Sequence, residues 1–136
     1  MFGGLRIGEA LGLCWKNIDL KNKTIKVEQA ANFVPILDKN DKVVGHKTKL
    51  GTTKTVCSVR EIPIPDILVE TLYEWYEKQK IYGIENKQDY TNPECFVFCE
   101  DDCSIRTYTS CRHCFDRFKR AHKLQNFKVG FHGLRH

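Results

Sequence analysis

The chain has 136 residues, 41% apolar and 11% aromatic, with a formal net charge of +5. That is the size and composition of one globular domain with a real core. No apolar run is long enough to span a bilayer, and the chain opens on no charged-then-apolar leader, so a cytoplasmic domain with no membrane partner is expected.

The first predicted element is a helix over "LRIGEALGLCW", with Leu5, Ile7, Ala10, Leu11 and Cys14 on one face and with Gly8 and Gly12 permitting close packing. "KNIDLKNK" reads as a turn and "TIKVEQA" as a strand by its β-branched alternation. After the turn "DKND", a second extended arm includes "KVVGHKT", and "SVREIPIP" makes a third strand ended by its prolines. "PDILVETLYEWYEKQKIYG" is a helix that Asp66 can cap and Gly83 ends, with Ile67, Leu68, Leu72, Trp75, Tyr76 and Gln79 as its inner stripe. A polar loop leads to a short buried strand, "CFVFC", and the turn "EDDCS" leads to the helix "SCRHCFDRFKRAHKL". "FKVGF" is an extended lead into "HGLRH", which reads as the opening of another helix. The fold class is therefore α+β, a mainly helical domain with a small three-stranded antiparallel sheet, in one unit spanning residues 1–136.

Charge is unevenly placed. Residues 103–136 hold eight Lys and Arg against one acid, Asp116, while the first 102 residues hold 14 basic and 16 acidic side chains. A basic C-terminal third points to an anionic partner, with nucleic acid first in line. A merely solvated basic helix face is the competing explanation.

Seven cysteines are many for this length. Cys111 and Cys114 form a C-x2-C pair beside His113, but within a helical pattern, and Cys95, Cys99 and Cys103 straddle a strand and a turn. Tetrahedral zinc sites are usually built from two such pairs, and only one pair has that spacing. No metal is assigned, and reduced, partly buried thiols are the default expectation.

Three clusters could carry chemistry: "GLRIGEALGLCW", "KTVCSVREIPIP" and "FHGLRH". Singly, each has an ordinary explanation, such as a surface ion pair for Arg6 and Glu9 at i,i+3 spacing. Jointly they supply arginines, a lysine and a histidine without a carboxylate cluster to hold a metal. Metal-free phosphoryl transfer needs such a set: guanidinium forks for the non-bridging oxygens, and proton donors for the leaving alkoxide.

These three boxes, in this order, resemble those of the tyrosine recombinases, the phage-integrase family. The resemblance implies a catalytic arginine at Arg6 with Glu9 as its supporting acid, a catalytic lysine in the β-hairpin box, and His132 and Arg135 from the His-x-x-Arg box. The frame K-T-x-x-S-x-R-x-I-P selects Lys54 for the lysine, with Lys47 and Lys49 as alternatives in the same lysine-rich turn. It further implies double-stranded DNA as partner, a 3′-phosphotyrosyl intermediate, no cofactor, and a tetramer on DNA for the whole protein. Lys47, Lys49, Arg112, Arg117, Lys119 and Arg120 are the candidate DNA-backbone contacts.

In the family the nucleophilic tyrosine follows the His-x-x-Arg box. Tyr73, Tyr76, Tyr82, Tyr90 and Tyr108 all precede it. The expectation is a catalytic-domain fragment truncated at both ends, monomeric and inactive by itself. A type IB topoisomerase, an inert DNA-binding module and a zinc-stabilised interaction domain are the competing readings.

Overall fold

A computed structural model describes residues 4–52, 59–126 and 130. It contains a short helix α1 (Ile7–Leu11), a 3-10 turn (Trp15–Asn17), strands β1 (Ile18–Asp19), β2 (Thr24–Val27), β3 (Gln29–Leu37), β4 (Val43–Thr52) and β5 (Arg60–Pro63), and helices α2 (Asp66–Asn86) and α3 (Tyr108–Ala121). The α+β class with a small antiparallel sheet is as expected from the sequence.

The three-stranded sheet has the order β1-β2-β5, all antiparallel. Its membership differs from the sequence reading: the "KVVGHKT" arm belongs to β4, which pairs with β3 in a separate two-stranded hairpin. The break falls at Glu28, between β2 and β3, so one continuous-looking extended run feeds two sheets. At the hairpin tip the Asp38 carboxylate accepts from the backbone N–H groups of Asn40 and Lys42, an Asx turn that fits "DKND".

The first helix is shorter than its apolar spacing predicts. It ends at Gly12, and Cys14 lies in extended backbone bridged to Phe96, off the helical face assigned to it. Among the described residues "CFVFC" joins neither sheet and makes only isolated bridges. Val97 donates to the Leu13 carbonyl at 2.8 Å and Trp15 to the Cys95 carbonyl at 3.1 Å, so this segment is satisfied by residues 13–15.

The core lies between the β1-β2-β5 sheet, α2 and the 95–99 segment, with Ile25 and Val97 almost wholly buried. Trp15 packs edge-on against Tyr76 with ring centroids 4.9 Å apart and donates its indole N–H to Gln79 Oε1 at 2.9 Å. Gln79 Nε2 and Trp75 Nε1 both donate to the Val97 carbonyl, at 3.2 and 2.7 Å. These bonds satisfy a buried amide and tie α2 to the spine of the core.

Helix α2 departs from its predicted caps. Pro65 is the N-cap, and Asp66, already inside the first turn, binds Lys23 Nζ at 2.7 Å. Gly83 lies within the helix; the stop is Lys87, in a left-handed conformation (φ 55°). Ile67 is exposed rather than part of the inner stripe. Helix α3 starts earlier than expected, with the Thr107 hydroxyl capping the Ser110 N–H at 3.1 Å, and none of its residues is fully buried.

Helix α1 sits directly on the hairpin because two glycines let it. A Cβ on Gly8 would lie 2.6 Å from the Ala31 carbonyl oxygen, and one on Gly12 would lie 3.1 Å from Ala30 Cα. Close backbone approach of this kind leaves no room for a side chain. It fixes the start of α1, and Arg6 with it, against β3.

Candidate active site

Arg6 is the residue preceding α1, with extended backbone (φ −70°, ψ 153°). Its N–H donates to Glu9 Oε2 at 2.8 Å, half of a capping box, which satisfies one of the orphan donors at the helix start. Its guanidinium reaches Glu9 Oε1 at 3.2 Å yet stays 65% exposed. The side chain is thus anchored at one nitrogen and presents the remainder of its fork outward.

Glu9 is 5% exposed and would be costly as a lone buried carboxylate. Arg60 resolves this with a two-point fork, Nη1 to Oε1 at 3.0 Å and Nη2 to Oε2 at 2.9 Å. The register explains the reach. Arg60 pairs directly with Val27, whose side chain is buried, so both point to the buried face of the sheet. Burial pushes the Glu9 carboxyl up, but the hydrogen bonds from Arg60 and Arg6 outweigh it and hold the group below the ordinary carboxylate range. The same hydrogen bond to Glu9 raises the Arg60 guanidinium.

Arg60 is a member of this candidate site that the sequence reading passed over. Its signal was present, since it is the Arg of the K-T-x-x-S-x-R-x-I-P frame used to choose Lys54. It joins the first box to the second through the acid that also holds Arg6.

A cleft of about 380 Å³ opens between Ile7 of α1, the hairpin and the start of α3. Ile7, Phe33, His46, Lys47, Thr107 and Tyr108 line it, with the Phe33 and Tyr108 rings 5.3 Å apart. Lys47, opposite Val34 in the hairpin, is exposed and contributes to this cleft; Lys49, opposite Asn32, is exposed as well. Lys54, His132 and Arg135 lie outside the described residues.

The basic side chains of α3 divide into two sets. Arg112 and Lys119 share Asp116, at 3.9 and 3.3 Å, and Lys119 also lies 5.2 Å from the centre of the Phe115 ring. Arg117 and Arg120, one turn apart on another face, are exposed, and among the described residues no carboxylate comes within ion-pair distance of either. Arg120 Nε donates to the Asp116 carbonyl at 3.3 Å.

No helix among the described residues is long and apolar enough to cross a membrane. The sequence profile of the phage integrase family matches residues 1–136. A tyrosine recombinase XerC-like protein from Caldanaerobacter subterraneus subsp. tengcongensis is 35% identical over 89 residues, 65% of this chain and 22% of that protein. Among solved structures, the Tn1549 transposon integrase in complex with a circular intermediate DNA superposes with a TM-score of 0.68 at 20% identity, over 99% of this chain and 40% of that one. The same integrase with transposon right end DNA gives 0.67 at 22% identity over 99% and 41%, and XerA recombinase gives 0.59 at 16% over 98% and 36%. The chain spans about a fifth of that curated relative and about two fifths of these structures. With its three boxes in order and the family profile matched from end to end, the chain belongs to the phage integrase family, the tyrosine recombinases.

Proposed function

We propose that this chain is the phosphate-binding part of a site-specific DNA recombinase that breaks and rejoins strands without a metal or cofactor. The observation that carries the reading is Arg6, held by Glu9 through its backbone and one guanidinium nitrogen while the rest of its fork stays exposed. A fixed, half-committed guanidinium suits a phosphate oxygen, because it needs no reorganisation when charge develops there. In this reading a tyrosine hydroxyl attacks the scissile phosphorus, the bond to the 5′ oxygen breaks, and the strand is held as a 3′-phosphotyrosyl ester. Arg6 and Arg135 clamp the non-bridging oxygens, Lys54 delivers a proton to the departing 5′ oxygen, and His132 assists proton transfer at the nucleophile. The covalent ester conserves the phosphodiester, so the reverse attack by a 5′ hydroxyl rejoins DNA.

The nucleophile is none of the five tyrosines present, and the 136 residues alone do not cleave DNA. Tyr90 is buried with its hydroxyl on the Asp101 carbonyl, Tyr82 bonds Asp101 Oδ1, and Tyr76 packs on Trp15. The isolated chain is a monomer, and the intact protein assembles as a tetramer on double-stranded DNA.

The test is covalent trapping of the full-length protein on a nicked duplex bearing its recombination site. Denaturation-resistant protein–DNA adduct is expected with wild type and reduced at least a hundredfold for Arg6→Ala. Adduct formation that survives Arg6→Ala would remove Arg6 from the catalytic set, and DNA binding with no adduct from the wild type would leave only an inert DNA-binding module.

A further inference from the structure

Three cysteines that are spread along the sequence come together in the fold. The Sγ atoms of Cys95, Cys99 and Cys103 all lie within 4.8 Å of one another. Cys95 is anchored in the core, Cys99 follows it on the same segment, and a turn closed by Cys103 N–H donating to the Glu100 carbonyl brings the third thiol back. The bridge between Cys99 and Ile105 holds the far side of that turn.

Thiols often serve as small apolar side chains, and Cys95 alone would be read so. The other two have polar company aimed at sulfur. Gln79 Nε2 lies 3.7 Å from Cys99 Sγ, and Gln88 Nε2 lies 3.2 Å from Cys103 Sγ. Amide N–H donors of this kind support the thiolate form and orient metal-bound sulfur. Sulfur atoms bound to one tetrahedral zinc through bonds of about 2.3 Å stand about 3.8 Å apart, so closing the triad requires shifts on the order of 1 Å.

We propose that Cys95, Cys99 and Cys103 form a three-thiolate site for a thiophilic divalent cation of the zinc class. Binding releases the three thiol protons, and the fourth coordination position is left to water or an exogenous ligand. A cleft of about 360 Å³, lined by Tyr82, Tyr90, Glu100 and Arg106, reaches Cys99 and gives the ion its way in. The Arg106 guanidinium that borders this cleft is paired with Glu100 at 3.5 Å. Because the turn between Cys99 and Cys103 leads into α3, a bound ion clamps the start of the basic helix to the core. The site is separate from the Arg6 cleft and does not depend on the recombinase reading.

The test uses reduced, anaerobic full-length protein titrated with Co2+ and then Zn2+. Expected are one equivalent of Co2+ giving sulfur-to-metal charge-transfer and tetrahedral ligand-field bands, displacement by one equivalent of Zn2+, and protection of the three cysteines from N-ethylmaleimide. Cys103→Ser, on a half-buried turn, should weaken binding at least tenfold, whereas the double variant Cys111→Ser/Cys114→Ser should not change it. The labelling map of the wild type gives the answer even if a variant fails to fold. The proposal is overturned by the absence of charge-transfer bands in reduced protein, by Cys103→Ser binding Co2+ with wild-type affinity, or by Zn2+ protection that maps to Cys111 and Cys114.

Discussion

Arg60 and Glu9, 51 positions apart, meet through both terminal guanidinium nitrogens and both carboxylate oxygens, at 3.0 and 2.9 Å. This pair joins β5 to α1, and since Glu9 also holds the backbone and side chain of Arg6, it sets where the first-box arginine stands. Replacing Arg60 by Ala leaves a 5% exposed carboxylate with Arg6 alone. We expect Arg60→Ala to cost about 2 kcal/mol in urea unfolding, less than a fully buried pair because Arg60 is a third exposed. Arg60→Lys should fall between, since one ammonium cannot reproduce the fork. In the full-length protein Arg60→Ala should slow adduct formation by roughly tenfold to a hundredfold through misplacement of Arg6. An unchanged unfolding midpoint would show that the pair contributes nothing.

The same carboxylate gives a pH dependence with a definite sign. Glu9 is held below its ordinary value in the folded chain, against about 4.3 when unfolded. Its contribution is therefore fully present above the unfolded value, and it is lost as pH falls through the folded value. Urea midpoints of wild type and Glu9→Gln should stand apart at pH 7 and converge as the medium is acidified below about pH 4. Parallel curves down to pH 3 would mean that Glu9 titrates normally.

Much of this arrangement was legible in the sequence. Alternation and β-branching located β2 and β5, and the apolar stripe of α2 was right at Leu68, Leu72, Tyr76 and Gln79. What failed was local punctuation. Gly83 reads as a stop, but the helix runs on to Lys87, whose N–H returns to the Gly83 carbonyl, as does that of Gln88. Cys14 fits a helical face, but Gly12 ends the helix and pairing with Phe96 claims the next residues. The cysteine triad was missed because a turn, not a knuckle spacing, assembles it. Arg60 was visible only as part of a frame, since its contact depends on cross-strand register with Val27 and on Glu9 of α1 coming within reach.

The seat of α1 rests on Gly8. A methyl group there would meet the Ala31 carbonyl oxygen at 2.6 Å, and a backbone oxygen cannot swing aside. Gly8→Ala should cost about 1–3 kcal/mol. Gly45→Ala, whose new Cβ would find only Ile36 Cδ1 at 3.8 Å, should stay within about 0.5 kcal/mol of wild type. Equal midpoints for the two variants would refute the close packing of helix on hairpin.

Tyr108 lines the cleft beside α1 and is therefore the tyrosine of this chain to test as a nucleophile. It stands at the first position of α3 with its ring against Phe33, a packing role. Tyr108→Phe in the full-length protein should retain adduct formation within about threefold of wild type, a change of less than ~1 kcal/mol. Loss of the adduct with retained DNA binding would make Tyr108 the attacking residue and overturn the assignment of the nucleophile elsewhere.

The two basic sets on α3 should separate in salt titrations. Each phosphate neutralised by a cation adds roughly 0.9 to the slope of log K against log salt. Arg117 and Arg120, exposed and without a carboxylate in range among the described residues, are free to engage a DNA backbone. Arg112 and Lys119 must first give up Asp116, so their net gain on binding is smaller. Anisotropy titrations on an unrelated duplex should therefore show the double variant Arg117→Ala/Arg120→Ala losing about two units of slope, and Arg112→Ala/Lys119→Ala about one or less. Asp116→Asn, which frees the second pair, should steepen the slope. If all three variants keep the wild-type slope, α3 does not face the DNA, and its charge is a solvated surface.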